Sequence, residues 1–560
     1  MRTVLRQILL FKRTLVQQVA RLFSQGEQGV WYDPSDFSTL FQDSAGTTPV
    51  TAVEQPVGLM LDSRYGLVRG GELWADASTT FFGESSKVST GVYRIYSSAG
   101  ALSYVTIASG FTIGKTYEVV FTVDSISAVG SNIQVEWTGA PLITTTGAKQ
   151  MRLVASATSI IIKRTTNPCD IQISAVSVRE LAGNHATQAT SASRPVLSAR
   201  VNLLTYSEDF SNAAWTQSGV TVTTNSTVAP DGTLTADALY ETSASGSHRV
   251  TQNAVAPANT NCKVSVSLKP NGRTWAIVVL GGGGNGYYFD LSNLVVGSET
   301  GGAGTVSSPQ ISLENNGWVR VSLNFIASDS RGIEVFTSTG NGQFSFTGDT
   351  TKGVYVWGAQ LETGSTATRY QSITTATSYD TVGFPKYLKF DGIDDSLATA
   401  AINFTSTDKM TVFAGVRKLS DAAAAVLCEL SASISTSSGA ATLFAPDGAA
   451  PRYLFSSKGT GQSSASATGY TAPLSSVLTG VADIAADVAT LRINGAQAAT
   501  SGTDQGTGNF GNYPLYIGRR GGTSLPFNGH LYSLIVRGAQ SSDSQIVSAE
   551  SYVNSKTGAY

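Results

Sequence analysis

The chain has 560 residues, too many for one hydrophobic core, so about three or four domains are expected. Only 14% of the residues are charged, the formal net charge is −2, and 57 glycines stand against 4 methionines. That balance excludes a polyelectrolyte binder of nucleic acid or of an anionic membrane. It also excludes an α-rich chain, whereas abundant Ser, Thr, Val and Gly favour short strands and tight turns.

Val4, Ile8, Phe11, Leu15, Val19 and Leu22 recur at spacings of four, three, four, four and three, the period of one apolar stripe on a helix of about six turns. Residues 1–23 are therefore expected to form an amphipathic α-helix, and its charged residues (Arg2, Arg6, Lys12, Arg13 and Arg21) are all basic. Arg6, Lys12 and Arg13 interrupt the apolar run too early for an export signal, and no later segment has the length of a membrane span, so no membrane insertion is expected. A lone helix must bury its stripe. The favoured cover is another copy of the chain or a partner protein, with a membrane surface or the adjacent domain as alternatives. Residues 24–69 contain GVWYDPSDFSTLFQDSAGTTPV, whose turn residues describe an extended connector. Trp31, Tyr32, Phe37 and Phe41 would be costly in a free linker and are expected to lie on a neighbouring subunit or a particle protein. Trp31 and Tyr32 thus join the stripe as the expected anchoring surface.

From residue 70 apolar and polar positions alternate. Tyr117, Val119, Phe121 and Val123 keep a two-residue period, Ile171, Ile173, Val176 and Val178 suggest a closing strand, and residues 70–182 are expected to form a small jelly-roll sandwich. GNHATQATSASRP, within 183–200, is poor in apolar residues and reads as a linker. Residues 201–372 repeat the first plan: VNLLTYSEDFSNAAWT opens, Cys262, Val264, Val266 and Leu268 form the long middle strand, and VYVWGAQLETG closes, as a duplicated jelly-roll module would. Residues 373–560 run from KYLKFDGIDDSL to LYIGRRGGTSLPFNGHLYSLIVRG, then to a short helix capped by Ser541 or Ser542 with Ile546, Ala549, Tyr552 and Val553 on one face. The expected fold class is all-β, tandem antiparallel sandwiches behind an N-terminal helix. Cys169, Cys262 and Cys428 are too far apart for a disulfide framework or a zinc site; as free thiols they point to assembly in a reducing cytoplasm.

Three segments carry a resemblance. FDGIDD, YIGRRGG and FNGHLYSLIVRG resemble the concanavalin A-like and laminin-G lectin superfamily in its phage-borne form. NLLTYSEDFSNAAWT, APDGTLTADAL, NGWVRVSL and YVWGAQLETG are similar to the carbohydrate-binding-module-like jelly rolls of phage structural proteins. GVWYDPSDFSTLFQDSAGTTPVTAVEQPVGLMLD resembles a segment near the start of phage tail-fibre proteins. The resemblance implies a bacteriophage tail fibre, commonly a homotrimer, made in the bacterial cytoplasm and displayed on the virion surface. Its N-terminus would join other virion proteins and its sandwiches would engage host surface glycan or a receptor. A capsid decoration or head fibre, and a polysaccharide depolymerase, are the alternatives.

The depolymerase requires two carboxylates roughly 5 Å apart, yet from residue 380 onward the only glutamates are Glu429 and Glu550, with Asp408 a distant partner in sequence. His185, His248 and His530 fall in three separate segments, so no catalytic residues are expected. Gly281 to Gly284 lack the Lys and Ser/Thr of a phosphate loop and suggest a hairpin. Sugar rings stack on aromatic faces, which brings Trp275, Tyr287, Tyr288, Trp318 and Trp357 into consideration, with Tyr287, Tyr288 and Trp275 the glycan-contact candidates and Arg519 and Arg520 a polar rim in the last domain. No cofactor is expected. Asp391, Asp394 and Asp395 are oxygen donors at a spacing that a structural calcium takes, although the favoured reading is an Asp-Gly turn in which Asp391 bonds its own backbone.

Overall fold

The computed structural model describes residues 15–253, 260–280, 284–301, 306–327 and 332–560. The chain is an all-β protein of tandem antiparallel sandwiches. It divides into two compact units: Ala199–Phe384 forms one, and the chain on either side, up to Ser198 and from Pro385 to Tyr560, forms the other.

In the larger unit, residues 69–181 make a sandwich of a six-stranded and a four-stranded sheet. Strand Thr116–Ile126 lies between Gly147–Val154 and Cys169–Leu181. Its two-residue period turns Tyr117, Val119, Phe121 and Val123 into the core, against Met151, Ile171 and Ile173.

The second sandwich of this unit is built from three separated stretches of chain. Two nine-stranded sheets enclose a core that includes Phe390, Val412, Leu443, Phe455 and Leu534. The stretch expected to be a connector supplies strands to both sheets. Gly29–Tyr32 pairs with Asn528–Arg537, Gly29 opposite Arg537 and Tyr32 opposite Leu534; a side chain at Gly29 would overlap the Val536 carbonyl. The expected linker does the same: Ala186–Thr187 pairs with Leu59–Met60 and with Leu397–Asn403, and Val196–Ser198 pairs with Gln55–Pro56 and Tyr387–Asp391. These strands of two to four residues are too short to show alternation in sequence, but their backbone groups complete the ladders.

The cover for the aromatics is therefore the chain's own sandwich and not a neighbouring subunit or particle protein. Trp31, Tyr32 and Phe41 are buried, each contributing about 2 kcal/mol of apolar burial, and Phe37 packs on the core that holds Tyr32. Trp31 Nε1 donates to Tyr552 Oη (3.2 Å), and Asp33 accepts from Tyr552 Oη (2.8 Å) and Lys556 Nζ (2.7 Å). The C-terminal helix Asp543–Thr557 is capped by Ser542 and buries Ile546, Ala549, Tyr552 and Val553. Residues 15–21 are helical. Leu15, Val19 and Leu22 are buried against that helix and against Phe413, Val477 and Ile535, so for the described part of the stripe the adjacent domain, not a partner, is the cover. Val4, Ile8 and Phe11 lie outside the described residues.

The Ala199–Phe384 unit is a sandwich of two six-stranded sheets. Its core takes Leu204, Phe210 and Trp215 from the opening segment and Val264, Val266, Val278, Phe289 and Val321 from the strands.

Candidate functional site

In the Ala199–Phe384 unit one sheet has an outer face unlike the others. Strands Thr260–Asn271, Val319–Ala327 and Gly353–Thr363 are neighbours. Their inner residues are apolar, while Lys263, Ser265, Ser267, Ser322, Gln360 and Glu362 point the other way and are nonetheless buried. Register aligns these groups in rows. Gln360, Ser265, Ser322 and Gln310 lie across one row, and Trp357, Ser267, Arg320 and Ser312 across the next.

A bulge opposite Ser265 and Ser267 leaves Gly358 in the left-handed region at φ +62, which a side chain would occupy only with strain. Its carbonyl accepts from Arg320 Nη1 at 2.6 Å. Arg320 also donates from Nη1 to Ser267 Oγ (3.1 Å) and from Nη2 to Ser265 Oγ (2.7 Å), and the Ser267 hydroxyl in turn donates to Glu314 Oε2 (2.6 Å). Burial holds the Arg320 guanidinium below its usual range, opposed by the charge of Glu314. Burial likewise lowers Lys263, opposed by Glu362.

The segment after Thr363 returns across this face. The Thr368 N–H donates to both oxygens of Glu362 (3.0 and 3.1 Å). The Tyr370 ring packs on Trp357 with centroids 4.7 Å apart and lies 5.5 Å from Arg320 Cζ, while its hydroxyl donates to Glu208 (3.0 Å). Burial raises the Tyr370 phenol well above its ordinary value. What stays open is a cleft of about 660 Å³ walled by Pro309, Ile311, Glu314, Arg320, Ser322, Thr368 and Tyr370, within the size range of small-ligand sites. It offers a cation, carboxylate and hydroxyl groups, and an aromatic wall, the equipment for holding a polyhydroxylated ring.

The expected aromatic contacts are elsewhere. Tyr288 and Trp275 share the outer face of the other sheet with Phe336 and Phe344, beside a cleft of about 410 Å³ lined by Tyr288, Ser298, Glu299 and Phe344. Tyr288 is itself buried. Tyr287 faces the opposite way, packs on the inner core and donates to Glu299 at 3.4 Å, so the pair does not meet in one site. Trp318 and Trp357 are core residues whose indole N–H groups reach Val228 and Thr235.

Arg519 and Arg520 are not a free rim. Arg520 Nε lies 2.8 Å from Glu429, a fully buried carboxylate that also accepts the Ile434 N–H. Arg519 is tied to the carbonyls of Asp394 and Thr523. Both guanidinium groups are drawn inward because a buried carboxylate and loop carbonyls require donors there. Asp408 pairs with Lys409, not with Glu429. His185 is buried, accepts the Asp62 N–H (3.0 Å) and is held down at about 4 by burial, while His530 is half-buried and stacked on Tyr387 at 3.8 Å.

Asp391, Asp394 and Asp395 bring one carboxylate oxygen each to within 4.8 Å of one another. Asp391 Oδ1 accepts the N–H groups of Ile393 (2.8 Å) and Asp394 (3.2 Å), closing the turn on itself, and Asp394 accepts from Ser193 (2.7 Å). Burial, followed by the charge of Asp391, raises Asp395 to about 7. Three hard oxygen donors suit calcium in kind, although Asp391 is already engaged by the backbone.

Sequence reasoning missed Arg320, Glu314 and Tyr370 as a group. The signal was available in NGWVRVSLNF, where Val319, Val321 and Leu323 leave Arg320, Ser322 and Asn324 on one face, and again in Lys263, Ser265 and Ser267. That the later segment 364–371 would cover this face carried no local signature.

Neither a family model nor a curated protein sequence matches the chain. Among solved structures, it is similar over 29% of its length to the CBM40 module of Ruminococcus gnavus IT-sialidase bound to alpha2,3 sialyllactose, with 18% identity, 97% of that chain and a TM-score of 0.22. Similarity to the tandem CBM22-1–CBM22-2 of Paenibacillus barcinonensis Xyn10C spans 53% of this chain and 97% of the other, at 10% identity and a TM-score of 0.26. The NanB sialidase of Streptococcus pneumoniae matches over 28% of this chain and 26% of its own, at 14% identity and a TM-score of 0.22. Structural similarity this low carries nothing about a ligand.

Proposed function

We propose that this chain is a non-enzymatic surface appendage of a bacteriophage particle, a tail fibre, that adheres to host surface glycan through its sandwiches. The phage setting rests on the resemblance of the quoted segments to tail-fibre and phage jelly-roll proteins. The adhesive role rests on one observation, the open polar cleft at Arg320, Glu314 and Tyr370. Weak sites of this kind gain strength on identical copies, which fits a homotrimer. Attachment to other virion proteins is assigned to the chain ahead of Leu15, with Val4, Ile8 and Phe11, because the later anchoring candidates are used internally.

The purified chain should bind intact host cells, and Tyr370→Ala should weaken that binding while the circular dichroism stays unchanged. Undiminished binding by the variant would remove the cleft from the reading. Incubation with host capsule or lipopolysaccharide should release no new reducing ends; their release would make the chain a depolymerase. Removal of residues 1–14 should prevent incorporation into particles, and a truncated chain that still incorporates would overturn the anchoring role.

A further inference from the structure

We infer that the cleft on the outer face of the Ala199–Phe384 sandwich takes a carboxylated sugar, whose carboxylate completes the hydrogen bonding of Arg320. This rests on the glycan-adhesion reading and adds the chemical class of the ligand.

Arg320 is held by uncharged groups alone. Its three hydrogen bonds all go to neutral acceptors, the hydroxyls of Ser265 and Ser267 and the Gly358 carbonyl. Charged side chains away from bulk water are normally paired, and elsewhere in this unit Arg273 follows that rule, 2.7 Å from the buried Glu241. Arg320 makes no ion pair within 4 Å among the described residues. The acidic groups around it are committed. Glu314 accepts from Ser267, Glu362 takes the Thr368 N–H and the Gln360 amide, and Glu208 takes the Tyr370 hydroxyl. Two of the five guanidinium N–H groups, Nε–H and one on Nη2, are left without an acceptor among the described residues, and Arg320 lines the open cleft. A carboxylate presents two oxygens to such a planar fork. Tyr370 gives a ring face beside it, and Ser322 and Thr368 give hydroxyls for the rest of a sugar.

The test uses the full chain and three carboxylated probes, oligogalacturonate, oligoglucuronate and an N-acetylneuraminyl oligosaccharide, each beside its methyl ester, in which the carboxylate is neutral. At least one acid should bind by calorimetry, with its ester weaker by roughly tenfold or more, as loss of a charge-assisted contact predicts. Arg320→Lys keeps the charge and loses the fork, and should weaken the acid by a similar factor. Glu314→Gln removes a like charge from the cleft wall and should tighten the acid and leave the ester unchanged, a gain that misfolding cannot imitate. Added salt should weaken the acid. Equal binding of acid and ester, wild-type affinity in Arg320→Lys, or no binding of any acid overturns the inference. If host cells are still bound in those cases, glycan adhesion survives without it; if the wild-type chain binds no host cells, that reading falls as well.

Discussion

The sandwich completed by residues 385–560 and the sandwich of residues 199–384 treat buried charge differently. In the first, Glu429 meets Arg520 at 2.8 Å, Glu550 meets Arg492 at 2.8 Å, Glu27 meets Arg537 at 2.6 Å and Asp33 meets Lys556 at 2.7 Å. Two of these pairs, Glu27 with Arg537 and Asp33 with Lys556, also fasten the two ends of the chain together, 510 and 523 residues apart. In the second, Arg273 and Glu241 are closed in the same way, but the outer sheet face holds Arg320 on hydroxyls and a carbonyl beside an open cleft. A closed ion pair is a fastening, while a guanidinium satisfied only by neutral groups is a place where a ligand can still act.

The largest expected effect breaks the fastening side. Removing residues 1–66 takes away Gly29–Tyr32 and the short strands that follow, and with them the partners of Asn528–Arg537 and Ala186–Thr187. The C-terminal sandwich should fail to fold, while the Ala199–Phe384 unit, which draws no strand from that stretch, should keep its own melting transition in calorimetry. Tyr32→Ala is a milder form, expected to cost about 3–5 kcal/mol in urea unfolding of the larger unit. A full native transition after the deletion would show these strands to be dispensable.

How much of this was legible follows from strand length. The Tyr117 to Val123 alternation and the Ser542 cap each span enough residues for a period or a motif to emerge, and the structure has both. The stretches 24–69 and 183–200 hold strands of two to four residues among Gly, Pro and Asp, where pairing depends on backbone groups and leaves no side-chain pattern. Trp31 and Tyr32 did signal that something must cover them, but a sequence cannot say whether the cover is another molecule or a strand 500 residues later. The candidate site was half legible. Polar outer positions on Thr260–Asn271 and Val319–Ala327 follow from alternation, whereas the burial of that face depends on a return segment with no periodicity. Arg520 misled because its partner, Glu429, is 91 residues away in sequence, and Arg519 because the Asp394 carbonyl it bonds is 125 residues away.

Next in size is the closed pair against the open cation. Arg520→Ala strands the fully buried Glu429 and should cost about 3–5 kcal/mol. Arg320→Ala leaves hydroxyls and a carbonyl that water in the cleft can reach, and should cost about 1–2 kcal/mol. Denaturant titration of both variants checks the order, and equal losses would dissolve the distinction between the two regions.

A smaller effect is expected from Asp395. Its folded value of about 7 lies above the ordinary 3.8, because burial and the neighbouring Asp391 disfavour the charge. The folded state therefore holds the proton more tightly, so this group's contribution is intact below about pH 4 and is lost as pH rises to about 7. Asp395→Asn should stabilise the larger unit at pH 7.5, on the order of 1–3 kcal/mol, and change little near pH 4. Melting curves at both pH values settle the sign, and a rise in wild-type melting temperature with calcium, absent in the variant, would assign the cluster to the ion.

The smallest expected effect is at Tyr287. Its ring packs at the margin of the inner core and its hydroxyl reaches Glu299 at a long 3.4 Å. Tyr287→Phe keeps the ring and removes only that contact, so stability should move by less than about 0.5 kcal/mol. Host-cell binding should be unchanged as well, because the cleft at Arg320 belongs to the other sheet. A clear loss of binding with an unchanged melting temperature would return Tyr287 to the ligand and move the adhesive face from the sheet that carries Arg320 to its opposite.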